Sequence, residues 1–138
     1  MKSHALPVVL LTTLMLFGGC GSSDPLSRQA VSGSITLNGE PVSQGSIDFT
    51  PTGSTGTMSG AAVTDGKFLI PQEKGLSPGE YLVRISAPSA DKERTGGGDF
   101  PAPARELIPP QYNTRSQEKI LVEAGKPNQF DFEIRTSK

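Results

Sequence analysis

The chain has 138 residues, enough for one domain with a real core. Its 13 Lys plus Arg against 14 Asp plus Glu leave a net charge of -1, so no basic surplus points to nucleic acid or to an anionic membrane surface. With 16 Gly, 12 Pro and only 34% hydrophobic residues, the composition favours short strands and turns over long helices, and regular apolar alternation argues against disorder.

Lys2 supplies a positive start, and residues 5–17 are almost wholly apolar, broken by Pro7, Thr12 and Thr13. That length suits the core of a signal-peptide helix and is short for a bilayer span. Gly18 and Gly19 are the small residues that cleavage requires, so residues 1–19 read as an export signal. The stretch Leu16-Phe17-Gly18-Gly19-Cys20 resembles the lipobox of bacterial lipoproteins, with Phe17 where that family prefers Leu. The resemblance implies that the Cys20 thiol takes a diacylglycerol, that the signal is cut just before it, and that the new amine is acylated. The solitary cysteine fits, since an exported chain with one cysteine has no disulfide partner of its own. Two or more acyl chains attach a protein stably, at about 0.8 kcal/mol for each buried methylene. Gly21 rather than Asp after the cysteine implies the outer membrane rather than the inner one. Residues 20–30 then form the lipidated N-terminus and a tether, because residues 21–30 carry no apolar periodicity.

From Val31 the pattern changes to period two. Val31, Gly33, Ile35 and Leu37 alternate with Ser32, Ser34 and Thr36, and Asn38-Gly39 marks a tight turn. Ile47 and Phe49 alternate with Ser46 and Asp48; residues 51–57 are a loop; Ala61 and Val63 run into the turn Asp65-Gly66, with Phe68 and Ile70 beyond it. After Pro78-Gly79, Tyr81, Val83, Ile85 and Ala87 share one side. Ile120 and Val122 precede the turn at residues 125–128, and Phe130, Phe132 and Ile134 then alternate with Asp131, Glu133 and Arg135. The spacing predicts seven strands, over 30–37, 44–50, 58–64, 67–71, 80–87, 118–124 and 128–135. Each has one apolar face, and such faces bury one another when two sheets stack. The expected fold of residues 31–138 is all-β, a single seven-stranded antiparallel β-sandwich.

Residues 88–115 interrupt this rhythm with Pro88, Pro101, Pro103, Pro109, Pro110 and the triplet Gly96-Gly97-Gly98. So long a connection in a compact domain is usually functional or disordered. Residues 89–100 are expected to be mobile. Residues 104–113 are expected to pack back, with Leu107, Ile108 and Tyr112 covering a sheet edge or an end of the sandwich. Phe100, Tyr112 and Asn113 are the candidate binding residues of this loop.

The stretches at 33–42, 45–49, 64–68 and 76–83, which read GSITLNGEPV, GSIDF, TDGKF and LSPGEYLV, resemble the carboxypeptidase regulatory-like, transthyretin-like domains. The lipobox together with Ile108-Pro109-Pro110-Gln111-Tyr112-Asn113 resembles the small lipoproteins common in Planctomycetes. The resemblance covers residues 31–135. It implies a prealbumin-type Greek-key sandwich that serves as a scaffold or adaptor, and fold alone does not fix function.

Enzyme chemistry finds few groups to work with. The one histidine, His4, lies inside the expected signal, and Cys20 is expected to carry lipid. Neither would serve as a metal ligand, nor in a nucleophile–histidine arrangement. Asp131 and Glu133 share a strand face, which reads as an exposed polar surface; Asp65 reads as a turn former rather than a calcium ligand. The glycine-rich stretches at 53–56 and 96–98 lack the Gly-Lys-Ser/Thr that opens the helix of a phosphate loop. The hydroxyisourate hydrolases are similar in fold only, since their catalytic histidines have no counterpart here. No cofactor and no metal are expected. The reading is a lipid-anchored, non-enzymatic module of the cell envelope that contacts an envelope protein or serves envelope structure, with no nucleic-acid partner. The alternative is a small carbohydrate-binding module, for which Phe100 and Tyr112 in the long loop are the only plausible exposed rings.

Overall fold

The computed structural model describes residues 24–89 and 104–136. Cys20, Phe100 and the expected signal lie outside the described residues. The chain forms β1 (Val31–Leu37), β2 (Glu40–Pro41), β3 (Gln44–Pro51), β4 (Ser59–Thr64), β5 (Lys67–Ile70), β6 (Gly79–Ser86), β7 (Lys119–Val122) and β8 (Asn128–Ile134). Two single 3-10 turns, Gln72–Lys74 and Pro110–Tyr112, lie in the connections. All seven expected strands are present. The eighth, β2, is a two-residue return of the Asn38-Gly39 hairpin, pairing Glu40 with Leu37 and Pro41 with Thr36.

Both expected tight turns have the required backbone. Asn38 and Gly39 have φ of 54° and 88°, and Asp65 and Gly66 have 49° and 72°. Positive φ at both central residues is what a type I′ hairpin demands, and Asn, Asp and Gly tolerate it best.

The strands belong to one hydrogen-bonded sheet in the order β8-β1-β5-β4-β3-β6-β7, with β2 beside the far end of β1. Two features differ from a wholly antiparallel pair of stacked sheets. First, β8 runs parallel to β1 over seven residue pairs, Val31 opposite Asn128 through Leu37 opposite Ile134. Side-chain alternation cannot register this, because it is the same in parallel and antiparallel strands. Second, β4 and β5 touch through a single pair, Thr64 opposite Lys67.

The sheet curls, and chain length forces it to. β7 and β8 stand at opposite ends of the strand order, yet only residues 123–127 join them. That link spans at most about 20 Å, so the two ends must come close. Asn128, the only buried polar residue among those described, holds the link in shape. Its Oδ1 accepts from the Glu123 N–H at 2.9 Å, and its Nδ2 donates to the carbonyls of Glu123 and Lys126 at 3.0 and 3.1 Å.

The apolar side of the curl is the core. Val31, Ile35, Ile47, Phe49, Val63, Phe68, Ile70, Tyr81, Val83, Ile85, Ile120, Val122, Phe132 and Ile134 are buried there, every one at a position the alternation turns inward. Leu37, Ala61 and Phe130 are the departures, only partly buried; for Phe130 the reason is that β8 has a neighbouring strand on one side only among the described residues. Tyr81 is fully buried and its hydroxyl donates to the Ser77 carbonyl at 3.0 Å, so the ring's polar tip is satisfied.

Residues 24–30 also differ from expectation. The sequence reading carries the tether through Ala30, whereas the structure fastens its last residues to the domain. Gln29 and Leu76 exchange backbone hydrogen bonds of 2.8 and 3.0 Å, and the Arg28 guanidinium donates to the Glu73 carbonyl at 2.6 Å.

Candidate functional site

The long connection begins and ends in regular structure. Beyond β6 the Ser89 N–H donates to the Arg105 carbonyl at 2.8 Å, and the Leu107 N–H donates to the Ala87 carbonyl at 3.0 Å, with Pro88 opposite Glu106. The two limbs thus meet as a short antiparallel ladder at one end of the curled sheet.

Glu106 locks this ladder. Its Oε1 accepts from the Ala87 N–H at 2.8 Å and the Ile108 N–H at 2.9 Å, and its Oε2 accepts from the Ser86 hydroxyl at 2.5 Å. Partial burial acts to raise the carboxyl's pKa, but the Ser86 hydroxyl and the backbone N–H groups of Ala87, Ile108 and Leu107 outweigh it and hold the group below its usual range. Replacing Glu106 by Ala leaves three donors without an ionised acceptor, and we expect a loss of about 2 kcal/mol in urea denaturation. A depressed folded-state pKa contributes stability above the unfolded value and loses it as pH falls through the folded one. The stability gap between the wild type and Glu106→Gln should therefore be full above about pH 5 and shrink as the solution is acidified.

Past the ladder, Ile108 is buried at 3% exposure and Tyr112 is half buried against the core. Pro109 and Pro110 open a 3-10 turn that Asn113 terminates, its N–H donating to the Pro110 carbonyl at 3.1 Å. Of residues 104–113, expected to pack back, Ile108 and Tyr112 do so. Leu107 does not: it is 42% exposed, because its backbone is paired to Ala87 and its side chain stands on the rim of a groove.

That groove encloses about 630 Å³. One wall is the β1–β2 hairpin, through Leu37, Glu40 and Pro41. Val42, Ser43 and Gln44 of the following link continue it. The facing wall is the β4–β5 turn, through Thr64 and Asp65, and the base of the ladder adds Ala87, Pro88 and Leu107. The walls are stitched together. The Asp65 and Gly66 N–H groups donate to the carbonyls of Ser43 and Val42 at 3.0 and 2.7 Å, and the Val42 N–H donates to the Ile35 carbonyl at 3.1 Å.

The sequence-derived candidates are not gathered in this groove. Tyr112 and Asn113 sit in the 3-10 turn and do not line it, and Phe100 lies outside the described residues. Asp65 and Leu107, both singled out beforehand, do line it, and Asp65 is there a turn residue with φ of 49°. Asp131 and Glu133 are exposed on one face of β8. Asp131 accepts from the Ser34 N–H at 3.0 Å and from the Ser34 hydroxyl at 2.6 Å. Among the described residues no group of three or more His, Cys, Asp or Glu side chains is placed to hold a metal ion. Glu106 carried no signal in the sequence, since its partners at 86, 87 and 108 become neighbours only through tertiary pairing; Leu107, expected to cover a sheet edge or an end of the sandwich, instead lines the groove.

In comparisons with known proteins, no family model, no curated protein and no solved structure matches this chain.

Proposed function

We propose that this protein is a lipid-anchored, non-enzymatic module of the bacterial cell envelope that makes contact with other proteins. The observation that carries the anchor is Leu16-Phe17-Gly18-Gly19-Cys20, an apolar run closed by two small residues and the chain's only cysteine. Gly21 after the cysteine favours the outer membrane. The contact reading draws support from the groove beside the loop ladder, since loops held by a rigid sheet are where binding usually resides. Glycan binding is the weaker reading: Tyr112 has part of its ring turned into the core, which leaves less of an aromatic face for a sugar.

The finer fold reading is a two-layer, transthyretin-like sandwich of the carboxypeptidase regulatory-like kind. It is supported by the division of the sheet into β5-β1-β8 and β4-β3-β6-β7, joined by the single pair at Thr64 and Lys67. The ring contact of Phe49 with Phe68, at 6.1 Å between β3 and β5, bridges the two strand sets.

Intact-mass measurement of the protein purified from bacterial membranes tests the anchor. The wild type should begin at Cys20 and carry diacylglycerol plus an acyl chain, whereas Cys20→Ser should stay uncleaved or soluble. A free thiol at Cys20 in the wild type would overturn the anchor.

A further inference from the structure

We infer that the groove beside the loop ladder docks a segment of a partner protein that presents an aliphatic side chain next to a lysine or arginine. This rests on the protein-contact reading above and names the chemistry of that contact.

Three observations converge. The volume, about 630 Å³, falls among those of clefts that hold ligands, roughly 300–1,000 Å³. The surface offered is mixed: Leu37, Pro41, Pro88 and Leu107 supply apolar contact over the buried Val42 and Ala87, and Leu107 is a large aliphatic side chain left 42% exposed. The charge has one sign. Among the described residues Glu40 and Asp65 line the groove, no lysine or arginine does, and neither carboxylate has an ion-pair partner. An aliphatic surface beside unpaired carboxylates is complementary to an apolar side chain and to the alkyl stem and charged head of lysine or arginine. The walls are fixed by the Ser43–Asp65 and Val42–Gly66 backbone bonds and by the Glu106 lock, so docking orders little that is not already ordered.

The test is an NMR titration of the full domain with the blocked peptide Gly-Leu-Lys-Val-Lys-Gly and with its counterpart carrying Glu at both Lys positions. The lysine peptide should give saturable shifts at Val42, Thr64, Ala87 and Leu107, and binding should weaken with added salt. Glu40→Gln with Asp65→Asn should weaken it about ten-fold, and Glu40→Gln alone by a smaller factor; Asn tolerates the backbone of position 65. Equal binding of the two peptides, shifts confined to another face, or no saturable shifts would overturn the proposal. So would binding seen only after deletion of residues 91–99, which would make the chain's own segment the occupant. Concentration-dependent self-association abolished by the double variant would overturn it in favour of a second copy. Photo-crosslinking from Leu121 on the far strand separates the two levels. Specific capture of an envelope protein there with no peptide binding would leave the contact reading standing and remove the groove from it.

Discussion

Gly33→Val should prevent the domain from folding, and Gly33→Ala should cost at least the upper end of the about 1–3 kcal/mol typical of overpacked cores. Gly33 is buried in the middle of β1, opposite Phe68 of β5 on one side and Phe130 of β8 on the other. A Cβ there would lie 1.7 Å from the Phe130 carbonyl oxygen and 2.8 Å from a ring carbon of Phe68. The first contact is with backbone, so no rotamer change relieves it; β8 would have to leave β1. Because β1 is the only strand among the described residues that β8 pairs with, the seven-pair parallel ladder depends on this one absent side chain. Urea denaturation of Gly33→Ala beside Gly53→Ala is the measurement. A Cβ at Gly53 meets nothing within 4 Å, so that variant should match the wild type or gain slightly by restricting the unfolded chain. Equal stability of the two variants would show that β1 and β8 do not approach as described.

The same glycine marks what could and could not be read beforehand. The alternation around Gly33 places it on the inner face, and the structure keeps it there, because period two follows from the backbone of a strand irrespective of its neighbours. The turns at Asn38-Gly39 and Asp65-Gly66 were legible for a similar reason: positive φ is a local demand with a local sequence signature. Which strand lies beside which is not local. Nothing in Val31–Leu37 or Asn128–Ile134 says that they pair in parallel. The candidate groove was less legible still. Its carboxylates read as ordinary turn residues, and Leu107 reads as a core residue until its backbone is seen bonded to Ala87. Glu106 looks like any surface glutamate, yet it is the acceptor for three donors drawn from two limbs of the loop.

Phe132→Ala should cost about 3–5 kcal/mol, a large share of the roughly 5–15 kcal/mol that holds a small domain folded. Phe132 is 7% exposed on β8, and its ring centroid lies 6.3 Å from that of Phe68, which in turn sits beside Phe49. The three rings run from β8 through β5 to β3. Removing the first leaves a cavity at the end of the row, and among the described residues β8 has no second strand neighbour to take up the loss. Its next inward neighbour, Phe130, is only half buried and cannot compensate. Glu133, one residue on, points outward and is exposed, so Glu133→Ala should change stability by no more than about 0.5 kcal/mol. Parallel urea melts of the two variants measure the contrast, and amide hydrogen exchange locates it: in Phe132→Ala the loss of protection should be greatest across Asn128–Ile134 and the paired positions of β1. Similar costs for the two substitutions would mean that β8 presents its other face to the core, and with it the placement of Gly33 against Phe130 would fall.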